Sequence, residues 1–475
     1  MKFWLKKVVA LSAFMPLTAP AQSGAVASSS APVEKITHSR RHHLFGQLRA
    51  ESMQYMTTVD SAPELNQSQF LSGRIAVAGS PESASWIEYG GDLAAGTFFR
   101  PNQDQFVVNE AHVTARLAPL TTVSLGRKKA MWSRMDEVWQ LGMWQPRFAI
   151  DTLRPEEQGL TGLFFNTGTE DMEVMAFATP IFIPTMGPEI SEENGSLVPD
   201  NRWYRRPSTT QIFNQQLNRV TYDLDVPNLE KLVMNPGYAA MTRFGNLRSG
   251  PWIVGSYAYK PVNDLLLRRQ IVRVVDQPLF DVKVSPDVAY HELASVDVGY
   301  AWGDFQISAS YLQDSPKEKR PQTEWSLQKL HALQAVSVQG EWNIRNFFAR
   351  QVQIQFGHLR ITGGGITDID SEGKTDDFTL FDDRMRFRNA TYVGAEGELA
   401  RLWARPLATK VRYLYDQQQQ GSMVRTEFLY YPRTDLALIV GTDFLGVADE
   451  NHEPDGFLNQ YRANDRYYGG MTYVF

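Results

Sequence analysis

The sequence predicts an all-β chain: a transmembrane antiparallel up-and-down β-barrel of about 18–20 strands, after a cleaved signal peptide. Three observations carry this. Period-2 alternation of apolar and polar residues runs along the whole chain. No stretch after the N-terminus approaches 18 consecutive apolar residues. Tight connections between strands alternate with long ones.

The N-terminus comes first. Lys2, Lys6 and Lys7 precede the apolar run Val8 to Leu17, and Ala19-Pro20-Ala21 offers small residues at a cleavage site. Residues 1–21 are read as the signal peptide. Residues 22–41, rich in Ser and Ala, are a flexible lead-in, and residues 42–475 are the barrel with its long outer loops.

The strands follow. Val336, Val338, Gly340, Trp342 and Ile344 share one strand face, against Ser337, Gln339, Glu341 and Asn343. The same pattern recurs at Val107 to Leu117, Val220 to Val226, Phe305 to Tyr311, Leu407 to Tyr415, Val424 to Tyr430 and Leu436 to Phe444. Strands of about ten residues are longer than is usual in soluble sheets. Tyr, Trp and Phe gather at strand ends, where a barrel places its interfacial girdles. Tight turns fall at Ala118-Pro119, Trp302-Gly303-Asp304 and Pro432-Arg433-Thr434, and long connections at 130–157, 261–288, 313–333, 363–383 and 446–464. Counting strands from both ends leaves a mismatch of one. Either the 219–226 strand is not transmembrane, giving about 18, or another lies near Arg202 to Phe213, giving about 20.

Composition narrows the function classes. There is no cysteine, so disulfide scaffolds and thiolate metal sites are excluded. The net charge of −6 argues against nucleic acid as a partner. No G-x-S-x-G or H-E-x-x-H motif is present and the eight histidines are scattered, so the chain is read as a non-enzyme without cofactor. Asp368, Asp370 and Glu372 match the opening of a calcium loop. Thr379 stands where that motif needs a bidentate Glu, so a solvated acidic loop is the stronger reading.

A barrel of this size leaves an aqueous channel, so function is expected in the lumen. Alternation turns Arg384, Arg386 and Arg388, read as the start of a strand, inward together with Lys410, Arg412 and Arg425 as a basic wall. Glu110, Asp297 and Glu341 are expected to form an acidic wall across from it, and Glu396 and Glu398 also point inward. Such a transverse field orients dipolar or anionic solutes, while the plainer reading is that these charges only solvate the lumen. Trp132, Trp139 and Trp144 in the long segment 130–157 suggest either stacking platforms for sugar rings or packing of a loop inside the barrel. Segment 180–217, with Trp203 and with Pro180, Pro184, Pro188 and Pro207, reads as a rigid loop that folds into the pore.

Tyr467, Gly469, Met471, Tyr473 and the terminal Phe475 share one face of the last strand. This resembles the C-terminal strand of Gram-negative outer-membrane barrels, which the barrel-assembly machinery reads. Asn109 to Lys129, with its Ala-Pro turn and Val-Ser-Leu-Gly-Arg strand, is similar to general porins and alginate-export channels. The resemblance implies an outer-membrane location, contact with the lipid bilayer and lipopolysaccharide, and passive passage of hydrophilic, anionic or saccharide solutes. A polysaccharide-export conduit is the alternative, and a non-transporting adhesin or scaffold a third. Oligomeric state stays open, with a homo-oligomer among the options.

Overall fold

The computed structural model describes residues 42–475, apart from 60–62, 81–85, 101, 189, 200, 205–206, 214, 275–276, 348–349 and 377–383. The signal peptide and lead-in expected over 1–41 lie outside the described residues.

Eighteen strands form one sheet. In chain order they are β1 His42–Tyr55, β2 Gln67–Gly79, β3 Ile87–Arg100, β4 Asn102–Ala118, β5 Thr121–Lys128, β6 Leu160–Gly168, β7 Met172–Thr179, β8 Gly237–Asn246 and β9 Ser249–Pro261. They continue as β10 Tyr290–Trp302, β11 Phe305–Pro316, β12 Leu333–Phe347, β13 Arg350–Gly363, β14 Asn389–Leu402, β15 Arg405–Asp416, β16 Gly421–Arg433, β17 Leu436–Val447 and β18 Arg466–Val474. Each pairs antiparallel with the next, and β18 returns to β1 from Gln47 opposite Val474 to Tyr55 opposite Arg466. The sheet therefore has no free edge, which is the condition for β structure in lipid.

The strand-count question resolves at eighteen. Gln216–Leu224, the expected strand at 219–226, belongs to a separate sheet of seven strands built from the long connections. There Val220 and Tyr222 bury against Val282 and Val284. That sheet lies at the loop end and contains the buried pair Arg269–Asp368 at 3.2 Å.

The outer face carries the apolar belt. Val296, Val298, Tyr300 and Trp302 of β10 are exposed, while Ser295 and Asp297, which alternate with them, are buried. Trp302 and Trp403, the latter 85% exposed, mark the tight-turn end, and Tyr238, Tyr259 and Tyr290 stack in a row at the loop end. These are the two aromatic girdles of a barrel that crosses a bilayer. No helix among the described residues is long and apolar enough to cross a membrane.

The inside differs from the wholly polar lumen that alternation suggests. Leu293, Leu312, Leu333, Leu359, Leu414 and Leu445 face inward near the loop end and join one buried cluster with residues of the connections. Phe164, Phe177, Trp252 and Tyr392 belong to the same cluster, so part of the aromatic content is core.

Candidate functional site

The segment 129–159, between β5 and β6, lies inside the barrel. It contains one short helix, α1, Arg134–Trp139. Its fold is set locally by Asp136, whose carboxylate accepts the backbone N–H groups of Met143 at 3.0 Å and Trp144 at 2.9 Å. Burial pushes the Asp136 carboxyl up, and those two N–H groups pull it back down. The turn they close brings Trp132 and Trp144 into a stack 5.5 Å apart.

The segment is then fixed to strands around the ring. Ser256 of β9 donates to Trp132 O at 2.6 Å, Ser133 donates to Asp297 of β10 at 3.3 Å, and Trp139 Nε1 donates to Ser337 of β12 at 2.8 Å. The Trp139 ring meets Tyr392 of β14 edge-on at 5.0 Å. Further along, Arg425 of β16 donates to Leu153 O at 3.0 Å. Arg154 bridges Glu51 of β1 at 3.0 Å and Asp443 of β17 at 3.1 Å. Asp151 receives Arg466 of β18 at 2.8 Å. The carboxyl of Asp151 is held low by the guanidiniums of Arg466 and Arg154, against burial acting the other way. Gly159 N finally returns to Asn109 O of β4 at 3.0 Å. The loop thus touches walls on both sides of the lumen.

The expected acidic wall takes another form. Glu110 accepts Lys129 N at 2.9 Å, Asp297 accepts Ser133, and Glu341 pairs with Arg134 at 3.7 Å. All three hold the first part of the crossing segment. They stand on β4, β10 and β12, so they make no single wall.

The expected basic wall is also rearranged. Arg384, Arg386 and Arg388 are not on a strand, because β14 begins at Asn389. Their alternation is that of a loop in which Met385 and Phe387 point into the buried cluster. Arg384 pairs with Asp314 of β11, which also receives His291 at 2.6 Å. Arg386 donates to Gln140 O at 3.0 Å and to Thr152 O, and Arg388 donates to Gly363 O at 3.0 Å. Lys410 stands opposite Glu396 and pairs with it at 2.9 Å, so this acid neutralises the wall from within. Arg412 lies over the Tyr392 ring at 4.1 Å. Arg425 approaches Asp443 at 3.4 Å. Glu398, at the turn end, pairs with Arg401 at 2.7 Å.

Trp132, Trp139 and Trp144 are each no more than 3% exposed, so none presents a face to a sugar ring. They are the packing core of the crossing segment. Trp203 is buried in the mouth against Tyr461 at 5.6 Å, and Arg202 beside it donates to Thr57 O, Ala463 O and Asn464. This part of 180–217 does enter the barrel.

The calcium-loop residues do not converge. Asp368 pairs with Arg269, Asp370 accepts the backbone N–H groups of Glu372 and Lys374, and Glu372 pairs with Lys374 at 2.8 Å. Among the described residues no three metal-ligating groups come together. Tyr467, Met471, Tyr473 and Phe475 all face outward and are exposed on the lipid side.

Sequence reasoning missed the cluster of Arg154, Asp151 and Arg466 around Asp443 and Glu51. Its signal was present in part: Arg466 alternates with the outward Tyr467 and so points inward, but nothing local says that a loop carboxylate reaches it.

The architecture is that of a transmembrane β-barrel, with an apolar belt, two aromatic girdles, short turns at one end and long connections at the other. No protein-family model matches the chain, and no curated protein matches it. Solved structures align over most of their length. OccK11 (OpdR) of Pseudomonas aeruginosa aligns with a TM-score of 0.45 and 10% identity over 91% of this chain and 96% of its own. OmpF of Salmonella typhi, solved in complex with daunomycin, gives 0.40 and 13% over 91% and 97%. OmpT of Vibrio cholerae gives 0.40 and 10% over 93% and 100%. The assignment rests on this chain's own registers and surface.

Proposed function

We propose that the chain is an outer-membrane channel for passive passage of hydrophilic solutes, narrowed by segment 129–159. The observation that carries this reading is the crossing of a closed eighteen-strand barrel by that segment. Barrels of 16–18 strands are wide enough for an aqueous channel, and a loop fixed inside one sets its cross-section.

The rest of the inner face suits water. Arg74 with Asp92, Arg49 with Glu51, Arg243 with Glu173, and Lys410 with Glu396 are cross-strand or same-strand ion pairs with partly exposed members. Charges of both signs alternate around the wall and favour hydrated polar solutes over apolar ones. Outward Phe475, Tyr473, Met471 and Tyr467 on β18 suit recognition of that strand by an assembly machinery, and the tyrosine row suits contact with the outer leaflet.

Planar-bilayer recording of the refolded chain tests this. Stepwise conductance that follows bulk salt concentration is expected. An inserted barrel that passes no ions would overturn the reading in favour of a non-transporting surface protein.

A further inference from the structure

We infer that a cavity between the outer sheet and the barrel rim binds a phosphate group through Lys317, Lys319, Lys329 and Gln328. Binding there needs no passage through the lumen, so the site stands or falls apart from the channel reading.

The cavity is built by separate parts of the chain. The outer-sheet strand Ser326–Leu330 pairs with Leu266–Arg273 on one side and with Ile366–Ile369 on the other. Residues 317–325 lead to it from Pro316, where β11 ends. Between this connection, the strand Ser326–Leu330 and Ala289, just ahead of β10, lies a space of about 180 Å³. One water needs roughly 15 Å³, so a ligand of many atoms fits. Leu266, Leu327 and Leu330 are buried and give the space an apolar floor. Lys317 N donates to Tyr290 O at 2.8 Å, which sets the cavity beside the tyrosine row at the loop end.

The polar lining is mostly donor. Gln328 is 4% exposed. Its Oε1 accepts Leu267 N–H at 2.8 Å, so the other end of the amide is a donor. That Nε2 is buried and has no hydrogen-bond partner among the described residues. A buried donor left unmade is costly, and only an acceptor atom relieves it. Three ammonium groups line the same cavity against one carboxylate, Glu318. Lys317 pairs with Glu292 at 2.5 Å, Lys319 with Asp287 at 2.6 Å and Lys329 with Glu318 at 2.7 Å. These lysines are partly open to solvent, and ion pairs of that kind contribute little. An ammonium carries three hydrogens, so each lysine can keep its acid and still reach a ligand oxygen.

These donors suit a compact, negatively charged group with several acceptor oxygens. Ammonium groups bind phosphate as point charges and need no planar fork. Phosphate can come from two sources. The tyrosine row marks headgroup level in the bilayer, so a lipid could supply it and lay carbon on the apolar floor. Free phosphate is the other source.

The test uses the full mature chain in a non-ionic detergent, with inorganic phosphate and dihexanoyl phosphatidic acid as probes and calorimetry as the readout. The wild type should bind a phosphate probe. Phosphatidic acid bound about tenfold or more tighter identifies the lipid source, because the floor then buries its chains. Equal affinities identify free phosphate. Lys319→Gln with Lys329→Gln should weaken binding about tenfold or more. Gln328→Glu keeps the acceptor for Leu267 N–H and puts a charged oxygen where the free donor stood, so it should abolish binding. Glu318→Gln removes the lining carboxylate and should tighten binding about threefold. Arg433→Gln, at an exposed turn away from the cavity, is the control. A wild type that binds neither probe overturns the proposal. So does a folded lysine double variant that binds both probes as the wild type does.

Discussion

The ring of Phe475 lies over Gly46. Their backbones exchange two hydrogen bonds, Gly46 N to Phe475 O at 3.0 Å and Phe475 N to Gly46 O at 2.9 Å. A Cβ at position 46 would stand 2.3 Å from the ring. The last residue of the chain thus fastens the first strand where the sheet closes on itself.

This seam is open to test. Gly46→Ile must push the aromatic ring off the strand, and misfit of that kind costs about 1–3 kcal/mol. The folded fraction after refolding into detergent, read by heat-modifiable migration on a gel, should fall. Phe475→Ala in the Gly46→Ile background should recover part of the loss.

The crossing segment hangs on Trp139. Trp139→Phe removes the bond to Ser337 and leaves a buried hydroxyl with one partner fewer, Gln339. A cost of about 1–2 kcal/mol in local opening is expected. Hydrogen exchange of the α1 amides should speed up, with the barrel strands unchanged.

The segment also carries a pH signature. The Glu157 carboxyl, ordinarily near 4.5, is pushed up to about 7 by burial and by the neighbouring Asp136 charge. The docked segment therefore holds a proton that the undocked one releases between about pH 4.5 and 7. Docking is strongest below that window and weakens as pH rises through it. Hydrogen exchange of residues 134–150, corrected for intrinsic rates, should show more opening at pH 8 than at pH 5. Glu157→Gln should flatten the difference.

In the outer sheet, Asp368→Asn leaves Arg269 buried beside a neutral amide. Breaking a buried pair from one side typically costs about 3–5 kcal/mol. Proteolysis within 320–330 should accelerate, while the barrel remains resistant.

Much of the fold was legible because lipid and lumen impose one period. Val336, Val338 and Trp342 face out, and Ser337, Gln339 and Glu341 face in, as alternation requires. The same period misled where another surface supplied the apolar side. Val220 and Tyr222 alternate as a barrel strand would, yet Val282 and Val284 cover them in place of lipid. Arg384, Arg386 and Arg388 alternate with Met385 and Phe387, and those two are buried inside the barrel. The charged residues of the lumen were legible as inward-facing and illegible as to partner. Glu110, Asp297 and Glu341 hold a segment whose direction no local pattern records. Trp132, Trp139 and Trp144 were visible as unusual, and only packing distinguishes a core from a platform.

Segment 129–159 is proposed to set the width of an open barrel. Single-channel conductance tests it most directly, comparing the wild type with a variant in which 131–155 is replaced by a short Gly-Ser turn. Both should conduct, and the shortened channel should conduct several-fold more. Equal conductance in the two, once the variant is shown to have folded, would contradict it.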